Sequence, residues 1–182
     1  MRKTFLPFFS MLLFTSIILS NSCKKEEGTV TAESSQITNE VKDSKITNKD
    51  IEALDYIEYV LSERSEQSTR DWLKFQELRK HIDDLKKGDL SFFKEEKTII
   101  QEFTTELESQ IPESLNDASI NARLVALKTT IYKLHDDATL NNHDKKLLLI
   151  SIKETLIAQI SLIFQINKKF EKDGQQIKKP TN

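Results

Sequence analysis

Residues 120–134, with the sequence INARLVALKTTIYKL, decide the fold class of this chain. Their apolar residues recur at intervals of four, three, four and three positions, and they are Ile120, Leu124, Leu127, Ile131 and Leu134. This spacing places all five on one face of an α-helix and leaves mostly polar residues on the opposite face. The segment is therefore predicted to be an amphipathic helix that packs against other helices.

A second and more apolar helix is predicted over residues 143–172, after a polar turn in which Asn141 or Asn142 is available as the N-cap. Its apolar residues extend well past one face, and they are Leu147, Leu148, Leu149, Ile150, Ile152, Leu156, Ile157, Ile160, Leu162, Ile163, Phe164, Ile166 and Phe170. A helix that is apolar around much of its circumference is normally the central helix of a bundle.

On the N-terminal side, a helix is predicted to begin at Thr47. Thr47 and Asp50 have the spacing of a capping box, and Ile46 and Ile51 have that of a hydrophobic staple. Residues at intervals of seven keep one helix in register as far as residue 87, and they are Leu54, Leu61, Ser68, Phe75 and Ile82. The alternative is a break near Gln67, because Ser68 and Asp71 have the residue types of a second N-terminal cap.

A further helix is predicted over residues 91–110. Gly88 suits the left-handed position that follows a helix, and Asp89 or Ser91 suits the cap of the next one. Pro112 then marks a boundary, because proline has no amide donor and disfavours a helical residue before it.

The expected fold is all-α. Short turns between helices favour antiparallel neighbours, so residues 47–172 are predicted to form an up-and-down antiparallel bundle of four helices, or five if the first is broken. Residues 173–182 are predicted to be a disordered tail. The polar residues 23–46, rich in Ser, Thr, Lys and Glu, are predicted to be a flexible tether.

Residues 1–22 have the features of a signal peptide. Arg2 and Lys3 are followed by an apolar stretch, TFLPFFSMLLFTSIIL at residues 4–19, which is shorter than the roughly 20 residues of a membrane span. A retained signal anchor is the alternative. Ordinary secretory cleavage also has acceptable small residues, Ser20 and Ser22, but it would leave an unpaired cysteine at the new N-terminus.

Residues 19–23, Leu-Ser-Asn-Ser-Cys, resemble the lipobox of bacterial lipoproteins, and the KKEE that follows is similar to the surface-export signal of Bacteroidota lipoproteins. The chain departs from the usual box at Ser20, where the family has leucine. The resemblance implies cleavage before Cys23, the only cysteine, and lipid attachment to it. The mature protein is then expected on the outer membrane, on its periplasmic face or at the cell surface.

Composition argues against several kinds of function. The formal net charge is −2 and becomes −4 without Arg2 and Lys3, which is unsuited to nucleic acid. One cysteine and three glycines leave no disulfide, no thiolate metal cage and no glycine-rich phosphate loop. No catalytic arrangement is visible, so the chain is predicted to be no enzyme and to need no cofactor.

Two places have residue types that bind metals. His135, Asp137, His143 and Asp144 flank one turn and form a speculative metal site, although turns also favour Asp residues as caps. Glu77 and His81 lie four positions apart, but two solvated residues beside an apolar stripe are the simpler interpretation.

The expected function is that of a non-enzymatic interaction or structural module of the cell envelope, held by lipid on Cys23, with an envelope protein as a partner. A small-ligand or metal-binding bundle is the alternative. Trp72, Tyr56, Tyr59 and Tyr132 suit partner anchors, but their helical spacing favours the core or its rim.

Overall fold

A computed structural model describes residues 45–141 and 144–175. These residues contain no β-strand and form helices α1 (Asn48–Glu52), α2 (Glu63–Thr69), α3 (Leu73–Lys86), α4 (Lys97–Ser109), α5 (Ala118–Thr139) and α6 (Lys145–Gly174). Short 3-10 turns lie at Phe92–Lys94 and Glu113–Leu115. The predicted all-α bundle is confirmed. The predicted signal peptide, Cys23, most of the tether, His143 and most of the tail lie outside the described residues.

The longer helices pack in chain order, α3 on α4, α4 on α5 and α5 on α6, and the α5–α6 interface is the largest. The five apolar residues that define residues 120–134 are all buried. So are Trp72, Phe75 and Phe93, which fill the space between the helices. Burial of these side chains from water is the main force that stabilises the bundle.

The N-terminal end of the bundle forms as predicted. The Thr47 backbone N–H donates to Asp50 Oδ2 at 2.8 Å, and the Asp50 N–H donates to Thr47 Oγ1 at 3.3 Å. Ile46 and Ile51 are buried beside this capping box. Gly88 has φ +88°, the left-handed conformation expected of a residue that ends a helix.

The prediction of one helix from Thr47 to residue 87 is wrong. Helix α1 ends at Glu52, and residues 53–62, which we call the strap, separate it from α2. A second interruption at residues 70–72 lies beyond the predicted break near Gln67, and the Ser68 hydroxyl donates to the Arg64 carbonyl within α2 instead of capping α3.

The non-helical backbone of the strap is held by a contact between residues far apart in the chain. The Asn167 side chain on α6 donates to the Val60 carbonyl at 2.8 Å and accepts from the Ser62 N–H at 2.9 Å. Asn167 therefore satisfies backbone groups that a continuous helix would have paired internally. The Tyr59 and Phe164 rings add a tilted contact with centroids 5.1 Å apart.

The remaining boundaries differ from the predictions by a few residues. The segment predicted as one helix over 91–110 begins as a 3-10 turn before α4, and Asp89 accepts from the Ser91 N–H at 2.8 Å ahead of that turn. Asp144, rather than Asn141, caps α6 by accepting from the Lys146 N–H at 2.8 Å.

Helix α6 is buried on one side and uncovered along another. Among the described residues it alone is long and apolar enough to cross a membrane, and half of its most apolar window is buried within the bundle. Ile150, Ile157 and Phe164 lie at intervals of seven and are 49%, 46% and 37% exposed. The predicted central position of α6 therefore accounts for only part of its apolar character.

Candidate functional site

Three of the four predicted metal ligands can be placed. His135 is buried on α5 with Nδ1 3.2 Å from the Phe93 carbonyl oxygen. Asp137 accepts a hydrogen bond from the Ser151 hydroxyl, and Asp144 caps α6. Within the described residues, no three His, Cys, Asp or Glu side chains are grouped closely enough to hold a metal ion. Since His143 is not described, the four-residue site stays a prediction.

The other candidate, Glu77 with His81, makes different contacts. His81 lies flat against Phe92, with ring centroids 3.8 Å apart and an angle of 8° between the planes. Glu77 forms an ion pair with Lys74 at 2.8 Å. Burial lowers the pKa of His81 below its usual value, because the charged imidazolium loses hydration there. These contacts give the two residues structural roles.

An apolar groove of about 400 Å³ lies at the surface between the strap and α6. We call it the apolar groove, and it is lined mainly by Tyr56, Ile57, Tyr59, Ile157, Ile160 and Phe164. Ile57 is 74% exposed and Tyr59 is 44% exposed. Val60, next to the groove in the chain, is 81% exposed. Side chains of this kind are normally buried or in contact with another molecule when they cluster.

On the other side of the strap lies a smaller cavity of about 190 Å³, which we call the charged pocket. Its polar lining consists of Glu58 from the strap, Glu66 from α2, Gln159 from α6 and three residues of α3, which are Arg79, Asp83 and Lys86. Tyr59 and Ile160 line both the charged pocket and the apolar groove, so the two features adjoin.

Two ion pairs hold the walls of the charged pocket in place. Glu66 contacts Arg79 at 2.7 Å, and Glu58 contacts Lys86 at 2.8 Å. The Lys86 ammonium lowers the pKa of the Glu58 carboxyl, which stays ionised at neutral pH. Both pairs are partly exposed, so they orient side chains more than they stabilise the fold.

Gln159 is the unusual residue of the pocket. It is 5% exposed on the most apolar helix of the bundle, and its amide makes no hydrogen bond with any described residue. Every fully enclosed side-chain nitrogen or oxygen among the described residues has a partner. Gln159 lines the charged pocket, so its amide is available there to a bound molecule.

Neither the apolar groove nor the charged pocket was predicted from the sequence. The exposed stripe Ile150, Ile157 and Phe164 is visible in the sequence as a spacing of seven, but α6 is so apolar that this stripe does not stand out. Gln159 is the clearer sequence signal for the charged pocket, because an amide in the middle of an apolar helix needs a hydrogen-bond partner. The strap was missed because the contact that holds it, to Asn167, spans 107 positions of the chain.

The aromatic residues predicted as partner anchors or core residues have different positions. Trp72 is fully buried, as its helical spacing predicts, whereas Tyr59 lines the apolar groove.

No protein-family model, curated protein or solved structure matches the chain.

Proposed function

We propose that this chain is a lipid-anchored protein of the cell envelope that serves as a non-enzymatic interaction module. The proposed attachment comes from the lipobox-like sequence at Cys23. The apolar groove is the single observation that carries the proposed interaction. A lipid on Cys23 would attach the chain to the outer membrane, and a tether of some twenty flexible residues would span about 25–30 Å. The groove would then be the surface that a partner protein covers.

The exposure of the groove supports binding rather than folding alone. Its most exposed residues, Ile57, Tyr59 and Ile157, would each bury further area in a complex, and burial of apolar area is worth about 25 cal/mol per Å². The strap that forms one wall is already held by Asn167. Because this wall is already held in place, less conformational entropy is lost when a partner binds.

Attachment is tested by comparing Cys23→Ser with Ser22→Ala in a Gram-negative host. We expect Cys23→Ser to move the protein into the soluble fraction, because the lipid is the proposed attachment. Ser22→Ala keeps a small residue before the cysteine, so it should remain with the membrane fraction and incorporate labelled fatty acid. Retention of Cys23→Ser in membranes would show that another segment provides the attachment.

Interaction is tested by placing a photoreactive phenylalanine analogue at position 157 or at position 99 and irradiating intact cells. Ile157 and Ile99 are the same residue type with nearly equal exposure, 46% and 44%, but only Ile157 lies in the groove. A discrete adduct from position 157, absent from position 99 and weakened by Ile57→Ser, is expected. Equal labelling from both positions, or none from either, would refute the groove as a binding surface.

A further inference from the structure

We infer that the charged pocket receives a basic side chain, the guanidinium of an arginine or the ammonium of a lysine, from the protein that covers the apolar groove. The inference rests on the proposed function for the source of that side chain. The pocket itself is argued from Gln159, from the charges of its walls and from its contact with the groove.

Gln159 supplies the first argument. Its amide has no hydrogen-bond partner among the described residues, and the apolar residues Ile82, Ile160 and Ile163 line the same pocket. A leucine at this position would fill the same space without leaving polar atoms unpaired. A group with N–H donors that enters the pocket would pair with the amide oxygen, and the amide NH2 could donate to the backbone of the same bound segment.

The charge of the walls supplies the second argument. Three carboxylates line the pocket against two cations, and each cation already has a carboxylate partner. Asp83 is the remaining carboxylate, and it forms no ion pair with the described residues. An anion entering the pocket would meet this surplus negative charge, whereas a cation would neutralise it and form charge-assisted hydrogen bonds.

Size and position supply the third argument. At about 190 Å³ the pocket is smaller than typical sites for drug-sized molecules, but it accommodates the end of one long side chain. Because Tyr59 and Ile160 line both cavities, a bound segment can place a basic residue in the pocket and neighbouring apolar residues in the groove. The partner segment is thus defined by chemistry as a lysine or arginine flanked by large apolar residues.

The test uses the Cys23→Ser chain and two blocked tripeptides, acetyl-Leu-Arg-Leu-amide and the same peptide with citrulline in place of arginine. Citrulline keeps the shape of the side chain but has no charge. We expect the arginine peptide to shift the NMR signals of the Gln159 side-chain amide and to bind about tenfold more tightly than the citrulline peptide, as a hydrogen-bonded charge predicts. Equal affinities, or no binding of the arginine peptide, would overturn the cation pocket.

Two substitutions on α3 provide the matched control. Asp83→Asn and Asp84→Asn remove the same charge from adjacent positions, but only Asp83 lines the pocket. Asp83→Asn should weaken binding of the arginine peptide about tenfold, and Asp84→Asn should leave the affinity for this peptide unchanged. Equal effects of the two would assign the binding to general electrostatic attraction and refute the site.

Gln159→Leu separates a binding role from a structural one. We expect the thermal midpoint of this variant to hold or rise, because an unpaired amide is removed from the bundle, while its affinity for the arginine peptide falls. A lower midpoint with unchanged affinity would make Gln159 a structural residue and overturn its role in the pocket.

Ile157→Ser distinguishes failure of the pocket from failure of the groove. Loss of peptide affinity in both Asp83→Asn and Ile157→Ser supports the two surfaces acting together. If affinity depends on Asp83 but not on Ile157, the cation pocket stands and the proposed role of the apolar groove is contradicted. If it depends on Ile157 but not on Asp83, the groove stands and the pocket inference fails.

Discussion

Replacing Trp72 with phenylalanine should weaken the contact between α3 and α4 and lower the free energy of unfolding. Trp72 is fully buried immediately before α3, where its indole Nε1 donates to the Leu107 carbonyl at 3.1 Å. Leu107 lies in the last turn of α4, where carbonyl groups lack partners within the helix. The indole therefore provides a hydrogen bond that α4 cannot make for itself, and it also stacks on Phe75 with centroids 4.9 Å apart.

The expected loss combines two effects of the Trp72→Phe substitution. Leaving the buried Leu107 carbonyl without its donor costs about 1–3 kcal/mol. Losing the second ring leaves space beside Phe75 and costs about 1 kcal/mol more. The total of about 2–4 kcal/mol would lower the thermal midpoint by roughly 6–12 °C for a domain of this size.

Circular dichroism should measure this change, because Trp72 is the only tryptophan and its fluorescence is lost with it. Leu73→Ala is the control, since Leu73 is the next residue and is 67% exposed. That variant should stay within about 0.5 kcal/mol of the parent. A Trp72→Phe variant as stable as Leu73→Ala would refute the idea that the indole ties α3 to α4.

Two further predictions concern the N-terminal end of the bundle. Gly88→Ala should destabilise the fold by more than about 1 kcal/mol in denaturant titrations, because φ is +88° and a Cβ would lie 3.1 Å from the Asn48 nitrogen. Gly174→Ala should not destabilise, because its Cβ would only reach ordinary contact with the Arg64 side chain at 3.9 Å. Asp50 should titrate by NMR with a pKa of about 2, since the Thr47 hydroxyl and Lys145 favour its charged form. The folded pKa lies below the ordinary value of 3.8, so the stability that Asp50 contributes is present above about pH 4 and is lost as the pH falls towards 2. Asp50→Asn should remove this part of the acid dependence, and a midpoint near 3.8 in the parent would contradict it.

Local patterns predicted the parts of the fold that local contacts determine. Helix α5 follows from a spacing that already places its buried face, and the start of α1 follows from hydrogen bonds between Thr47 and Asp50, three positions apart. Gly88 follows from its conformational freedom. In each case the residues that decide the structure are close together in the sequence, so the prediction needed no knowledge of tertiary contacts.

The strap shows where such patterns fail. Leu54 and Leu61 keep the interval of seven that predicted a continuous helix, and both are partly buried against the core. The backbone between them is nevertheless held by Asn167, more than one hundred positions away. Helix propensity is a weak preference that tertiary hydrogen bonds override, so a correct apolar spacing was assigned to the wrong secondary structure.

The same limit applies to function, because α6 is apolar for two different reasons. Leu156, Leu162 and Ile166 are buried and hold the bundle together, whereas Ile157 and Phe164 are exposed along the groove. Hydrophobicity alone cannot separate these sets, since both contribute to one apolar circumference. The strap makes the distinction, because it packs beside α6 and forms one wall of the groove that Ile157 and Phe164 line. The proposed binding surface thus depends on how residues 53–62 are held, and an Asn167 variant that released them would alter the groove without changing a residue in it.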